Sequence, residues 1–139
     1  MVRKIIAQLS LASVVVLVAC GGSTHETATA SNAAASSLDG SSFDVVLGFP
    51  GEAPVKDKLR FDGGRFESTA CTGLGFPQWT PYHQELEARA VAFATTTQHP
   101  SGTTMQWKCT VDGDTVDGTA TRTMSGKTTV ATVHGTRGG

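Results

Sequence analysis

Residues 103–137 read TTMQWKCTVDGDTVDGTATRTMSGKTTVATVHGTR, and the rhythm of this stretch decides the fold. Met105, Trp107, Cys109 and Val111 alternate with Thr104, Gln106, Lys108 and Thr110, the period-two pattern of a strand with one buried face. Asp112-Gly113-Asp114 is a turn signal, Thr115 to Met124 reads as a second strand, and Ser125-Gly126-Lys127 turns the chain into a third, Thr128 to Arg137. Fourteen of the 42 residues from Thr95 to Thr136 are Thr, whose branched β-carbon favours strands. Val130 and Val133 fall on opposite faces, which predicts a bulge or a strand covered on both sides.

The same rhythm runs upstream. Phe43, Val45, Leu47 and Phe49 alternate with polar or small residues until Pro50-Gly51-Glu52-Ala53-Pro54 ends the strand, because Pro cannot donate to a sheet ladder. Leu59 and Phe61 alternate with Lys58, Arg60 and Asp62, and Gly63-Gly64 is a hairpin-type connection into a strand with Phe66 inward. Cys71 to Pro81 contains Gly and Pro throughout and reads as a long irregular connection. His83 to Ala94 (HQELEARAVAFA) admits two readings. As a helix it aligns Leu86, Ala90, Phe93 and Ala94; as a hairpin turning near Glu87–Arg89 it aligns Val91, Phe93 and Thr95 but lacks the Gly or Asn of a tight turn. Long strands on both flanks favour the hairpin.

Strands are thus expected near residues 43–49, 56–62, 64–70, 81–86, 90–97, 103–111, 114–124 and 128–137. Short connections and the lack of a helical crossover predict an all-β chain, an antiparallel up-and-down meander closing into a small eight-stranded barrel. The alternatives are a six- or seven-stranded sandwich, or a meander with one short helix near 83–94. The hairpin motifs Gly102-Thr103-Thr104-Met105-Gln106-Trp107 and Gly113-Asp114-Thr115-Val116-Asp117-Gly118-Thr119 resemble those of small lipocalin-like and streptavidin-like barrels. That resemblance implies an interior filled by side chains or holding one small ligand. The run from Leu59 to Cys71, continued by Gly75-Phe76 and Tyr82, also resembles the central stretch of META-domain lipoproteins, with Ala70-Cys71-Thr72 where that family carries Gly-Cys-Asn.

The first residues read as an address. Met1-Val2-Arg3-Lys4 is a positive n-region, and the 14 residues from Ile5 to Val18 form an apolar run too short for a membrane anchor but suited to a secretory signal. The run ends in Leu17-Val18-Ala19-Cys20, which resembles the lipobox of bacterial lipoproteins. The resemblance implies cleavage after Ala19 and lipidation of Cys20, and several acyl chains together hold a protein stably on a membrane. Gly21, not Asp, follows Cys20, which points to the outer membrane, facing the periplasm or the exterior, if the cell is Gram-negative. The expected organisation is a signal peptide at 1–19, a lipidated Cys and flexible tether at 20–42, and a barrel at 43–139. Small and polar residues fill 21–42 apart from Leu38, giving a tether with a reach of roughly 25 Å.

Charge narrows the partners. The chain has a net charge of −1, and loss of Arg3 and Lys4 with the signal peptide leaves −3. Neither value supports nucleic-acid binding, which needs a basic surface. Cys71 and Cys109 remain in an exported domain, where oxidising conditions favour a disulfide. A Cys71–Cys109 bridge would close a loop of 37 intervening residues and add about 3–4 kcal/mol. Strict alternation puts the two on different faces, so two separate thiols are the other reading. His83, His99 and His134 lack metal-ligand spacing, and Asp112, Asp114 and Asp117 lack the Glu of a calcium loop at the twelfth place, Thr123. No metal or cofactor is expected. No nucleophile, base and orienter can be named together, so no catalytic residue is expected and the reading is non-enzymatic. Phe76, Trp79 and Tyr82 in the irregular loop, with Trp107 below, are the candidate ligand-binding residues at a barrel mouth. The expected function is a lipid-anchored envelope barrel that binds a small apolar ligand or another envelope protein; the alternatives are an envelope protein that binds or inhibits a partner through its loops and, last, an enzyme with an unrecognised site.

Overall fold

Alternation over residues 103–137 becomes three paired strands in a larger meander. The computed structural model describes residues 37–139; residues 1–36, and with them the expected signal peptide, Cys20 and most of the tether, lie outside the described residues. The elements in order are β1 (Ser42–Gly48), β2 (Val55–Asp62), β3 (Arg65–Ser68), α1 (Thr69–Gly73), β4 (Thr80–Pro81), β5 (His83–Glu87), β6 (Ala90–Gln98), β7 (Thr104–Asp112), β8 (Thr115–Met124) and β9 (Lys127–Arg137). One sheet, in the order β4-β3-β2-β1-β9-β8-β7-β6-β5, curls into a nearly closed barrel. Every pairing is antiparallel. The all-β barrel read from the sequence is therefore the fold, built from nine strands where eight were expected.

The ninth strand arises at the seam. The single strand expected at 81–86 is divided at Tyr82 into β4, which pairs with β3, and β5, which pairs with β6. β3 and β6 run in the same direction, six antiparallel steps apart, so β4 and β5 form one run that changes partner as it crosses the seam. Thr95 Oγ1 donates to the Pro81 carbonyl at 2.8 Å, and the Tyr82 N–H donates to the Gly64 carbonyl at 3.3 Å, binding that run to both sides. The helix considered at 83–94 does not form. Glu87 pairs with Ala90 to close a tight hairpin, and Ala88 takes a φ of +28° in place of the missing Gly.

Rings fill the interior. Phe43, Leu59, Phe66 and Trp107 are wholly buried, with Phe61 and Phe93 almost so. Phe61 lies 4.9 Å from Phe93 and 5.5 Å from Phe66, and Phe66 lies 5.3 Å from Trp107, joining walls that are distant in the strand order. Each buried ring stabilises by about 2–3 kcal/mol, and each edge-on pair adds about 1 kcal/mol. The barrel turns its corner at Gly118, where a Cβ would lie 2.3 Å from the Lys108 carbonyl oxygen, so only glycine permits so close an approach of β7 and β8.

Three expectations change. β3 stops at Ser68, because its hydroxyl accepts from the Cys71 N–H and caps α1 where the strand was expected to continue. The register of β8 on β9 is unbroken through Val130 and Val133, so there is no bulge; Val130 simply faces outward, 48% exposed. The fold also begins earlier than Phe43. Leu38, assigned to the tether from sequence, is 3% exposed, and the segment from Leu38 to Ser41 bonds to Phe61 through Gly40 N–H and Ser41 C=O.

Candidate functional site

The four aromatic candidates do not converge. Trp107 is 0% exposed in the middle of the core, and its Nε1 is the only buried side-chain polar atom without a partner among the described residues. Trp79 lies outside the barrel over β2 and β3, its ring 5.3 Å from the Arg60 guanidinium and 6.0 Å from that of Arg65. Phe76 packs edge-on against His99 at 5.2 Å. Tyr82 stands in the seam, its ring 5.1 Å from Phe61 and its hydroxyl donating to Asp39 Oδ1 at 3.0 Å. The four rings therefore do not line one opening: Trp79 lies on the outer wall, Phe76 and Tyr82 pack half-buried against the core, and Trp107 sits within it.

Nor do Cys71 and Cys109 bridge. Both are buried and free. The turn of α1 carries Cys71 onto Ser68 above β3, whereas Cys109 lies in the wall between Phe93 and Gly118. Burial pushes the Cys109 thiol up to about 12 and raises that of Cys71. Buried neutral thiols are poor nucleophiles, so the free cysteines offer no covalent chemistry.

A buried acid not singled out from sequence organises the end of the barrel above α1. Asp57 points inward at 8% exposure, and its carboxylate accepts from Ser68 Oγ at 2.5 Å, Thr69 Oγ1 at 3.1 Å, Ala70 N at 2.8 Å and Lys58 N at 2.7 Å. Three donors on Oδ1 and the Ser68 hydroxyl on Oδ2 make this carboxylate a structural clamp on α1. Glu67, 3% exposed, pairs with Arg60 at 3.0 Å and accepts from Thr72 Oγ1, which ties α1 to β3. An inward Asp between two Lys in a period-two strand was the available signal.

The outer wall carries an opening among the described residues. An open groove of about 340 Å³ crosses β5 to β8, floored by Ala92, Ala94 and Gly118 and flanked by Glu85, Lys108 and Asp117. His83 lies 3.5 Å from Glu85 on one rim, and His134 lies 2.5 Å from Asp117 beyond the other. Small residues on β6 and β8, either side of β7, create this depression. Among the described residues no group of three His, Cys, Asp or Glu could hold a metal, and Asp114 of the expected hairpin tip is bound by Arg137 Nε at 3.0 Å. No described helix is long and apolar enough to cross a membrane.

The comparisons with known proteins add no relative. The chain matches no protein-family model, no curated protein and no solved structure.

Proposed function

We propose that this chain is a lipid-anchored lipoprotein of the cell envelope, non-enzymatic, whose barrel holds a partner protein through its outer surface. The observation that carries this reading is the interlocked ring core, with Trp107 wholly buried and Phe61 in contact with Phe66, Phe93, Phe43 and Tyr82. A barrel filled in this way leaves its wall and loops as the working surface. The Leu17-Val18-Ala19-Cys20 motif supports anchorage through lipid on Cys20, and Gly21 after it supports the outer membrane if the cell is Gram-negative. Near-neutral charge supports a protein partner over nucleic acid. A small apolar ligand is the second reading, and the groove floored by Ala92 and Ala94 is the observation in its favour.

Two measurements test the proposal. Wild-type protein should take up labelled fatty acid and stay in the membrane fraction through a carbonate wash, and Cys20→Ala protein should do neither. Native mass spectrometry of protein released from its own envelope should then show a second polypeptide. A bound small molecule without a second chain would favour the groove instead.

A further inference from the structure

The barrel does not close along its whole length. β5 pairs with β6 on one side only, since β4 ends at Pro81 and the seam contacts stop near Gln84. In the register Glu87↔Ala90, Glu85↔Ala92 and His83↔Ala94, the closing pair of a two-residue hairpin is hydrogen-bonded, and so is every second pair after it. The N–H and C=O groups of Gln84 and Leu86 therefore point away from β6. No described residue donates to them or accepts from them. Leu86 shares the inward face with its partner Val91, yet it is 62% exposed where Val91 is 3% exposed, because nothing described covers it from the seam side.

Charge says what fits there. Glu85 and Glu87 alternate onto the outer face of the edge, and Asp112 and Asp117 extend the acidic surface across β7 and β8. The basic groups recorded against them are imidazoles, His83 on Glu85 and His134 on Asp117, with Lys108 lining the groove between, and among the described residues no lysine or arginine pairs with Glu85 or Glu87. A second copy of this chain pairing through β5 would set Glu85 and Glu87 against the same residues of its twin, and like charges directly opposite destabilise a sheet.

We propose that the free edge of β5 takes an extended basic segment of a partner protein as an added strand, with its backbone on Gln84 and Leu86, its cationic side chains on Glu85 and Glu87, and an apolar side chain against Leu86. Strand addition supplies affinity through the main chain and selectivity through alternate side chains. The inference rests on the partner-binding reading above and names the chemistry of the partner.

The test uses the full chain in detergent with a heptapeptide of alternating lysine and valine, and a glutamate–valine heptapeptide as the contrast. The basic peptide should slow amide exchange at Gln84 and Leu86 about tenfold, leaving the β7–β8 amides unchanged. Leu86→Pro should abolish binding with the β5–β6 ladder intact, since its N–H faces the free edge. The Glu85→Gln, Glu87→Gln double variant, which keeps the fold in any case, should bind about tenfold more weakly. Equal affinity for both peptides, or unchanged exchange at Gln84 and Leu86, overturns the proposal. So does protection of these amides before peptide is added: at all concentrations it assigns the edge to the chain's own N-terminal residues, and only at high concentration to a second copy. An envelope partner that cross-links elsewhere on the barrel also overturns it, and leaves the proposed function standing.

Discussion

The two halves of the sheet are built on different principles. From β6 to β9 the strands run nine to eleven residues, joined by short turns, and hold together by unbroken ladders with alternate residues inward. From β2 to β5 the strands are mostly shorter, the ladder breaks at Ser68 and again at Tyr82, and side chains take over from backbone. Asp57 clamps α1, Asp39 holds the Gly64 N–H and the Tyr82 hydroxyl, and Gln84 Oε1 accepts from the Leu38 N–H. A regular sheet tolerates repetitive sequence such as the threonine run, whereas an irregular closure depends on single residues whose loss leaves buried groups unpaired.

Substitutions can break this contrast, and the largest effect belongs to the residue that spans both halves. Phe61→Ala should cost about 4 kcal/mol in urea unfolding, since Phe61 on β2 touches Phe93 on β6 across the seam and truncation leaves a cavity. Asp57→Ala should cost about 3 kcal/mol, because it removes the helix clamp and strands the buried Ser68 hydroxyl. Gly118→Ala tests the regular half and should cost about 2–3 kcal/mol as β7 and β8 are forced apart. If Gly118→Ala proved harmless while Asp57→Ala unfolded the protein, the closure alone would govern stability.

Alkaline pH gives a smaller and graded effect. The Cys109 thiol sits near 12 in the fold and at 9.0 when free of it, so the native state holds its proton more tightly than the unfolded chain does. Its contribution is complete below pH 9 and fades as pH rises towards 12, at a slope of up to about 1.4 kcal/mol per pH unit. Cys71 adds to the same fall. Denaturation midpoints measured between pH 8 and 11 should decline, and Cys109→Ala should flatten the decline. At the edge of β5, Ala88→Gly should raise stability by about 1 kcal/mol by relieving the positive φ of the turn, a gain readable in the thermal midpoint.

Legibility followed the same division. Where one face of a strand is buried, Met105, Trp107, Cys109 and Val111 announce it by position alone, and hairpins such as Asp62-Gly63-Gly64-Arg65 announce their turns, with φ values of +55° and +73° at the two glycines. Ser68 could not be told from a strand residue without knowing that Asp57 would stand beside it. Leu38 looked like a lone apolar residue in a polar run until the seam supplied its pocket. Phe76, Trp79 and Tyr82 were close in sequence and separated in space, because each found a different surface: His99, the Arg60–Arg65 pair and Phe61.

By itself the sequence determined the strand rhythm, the antiparallel meander and the barrel, since period-two burial and turn chemistry are local properties. Tertiary structure alone decided how the barrel closes, that Cys71 and Cys109 stay apart, and which backbone groups stay free. Those depend on contacts between residues far apart in the chain: Phe61 with Phe93, Thr95 with Pro81, and Leu38 with Gln84. Such contacts carry no period to read along the chain. They leave Gln84 and Leu86 as the place where the sheet is unfinished.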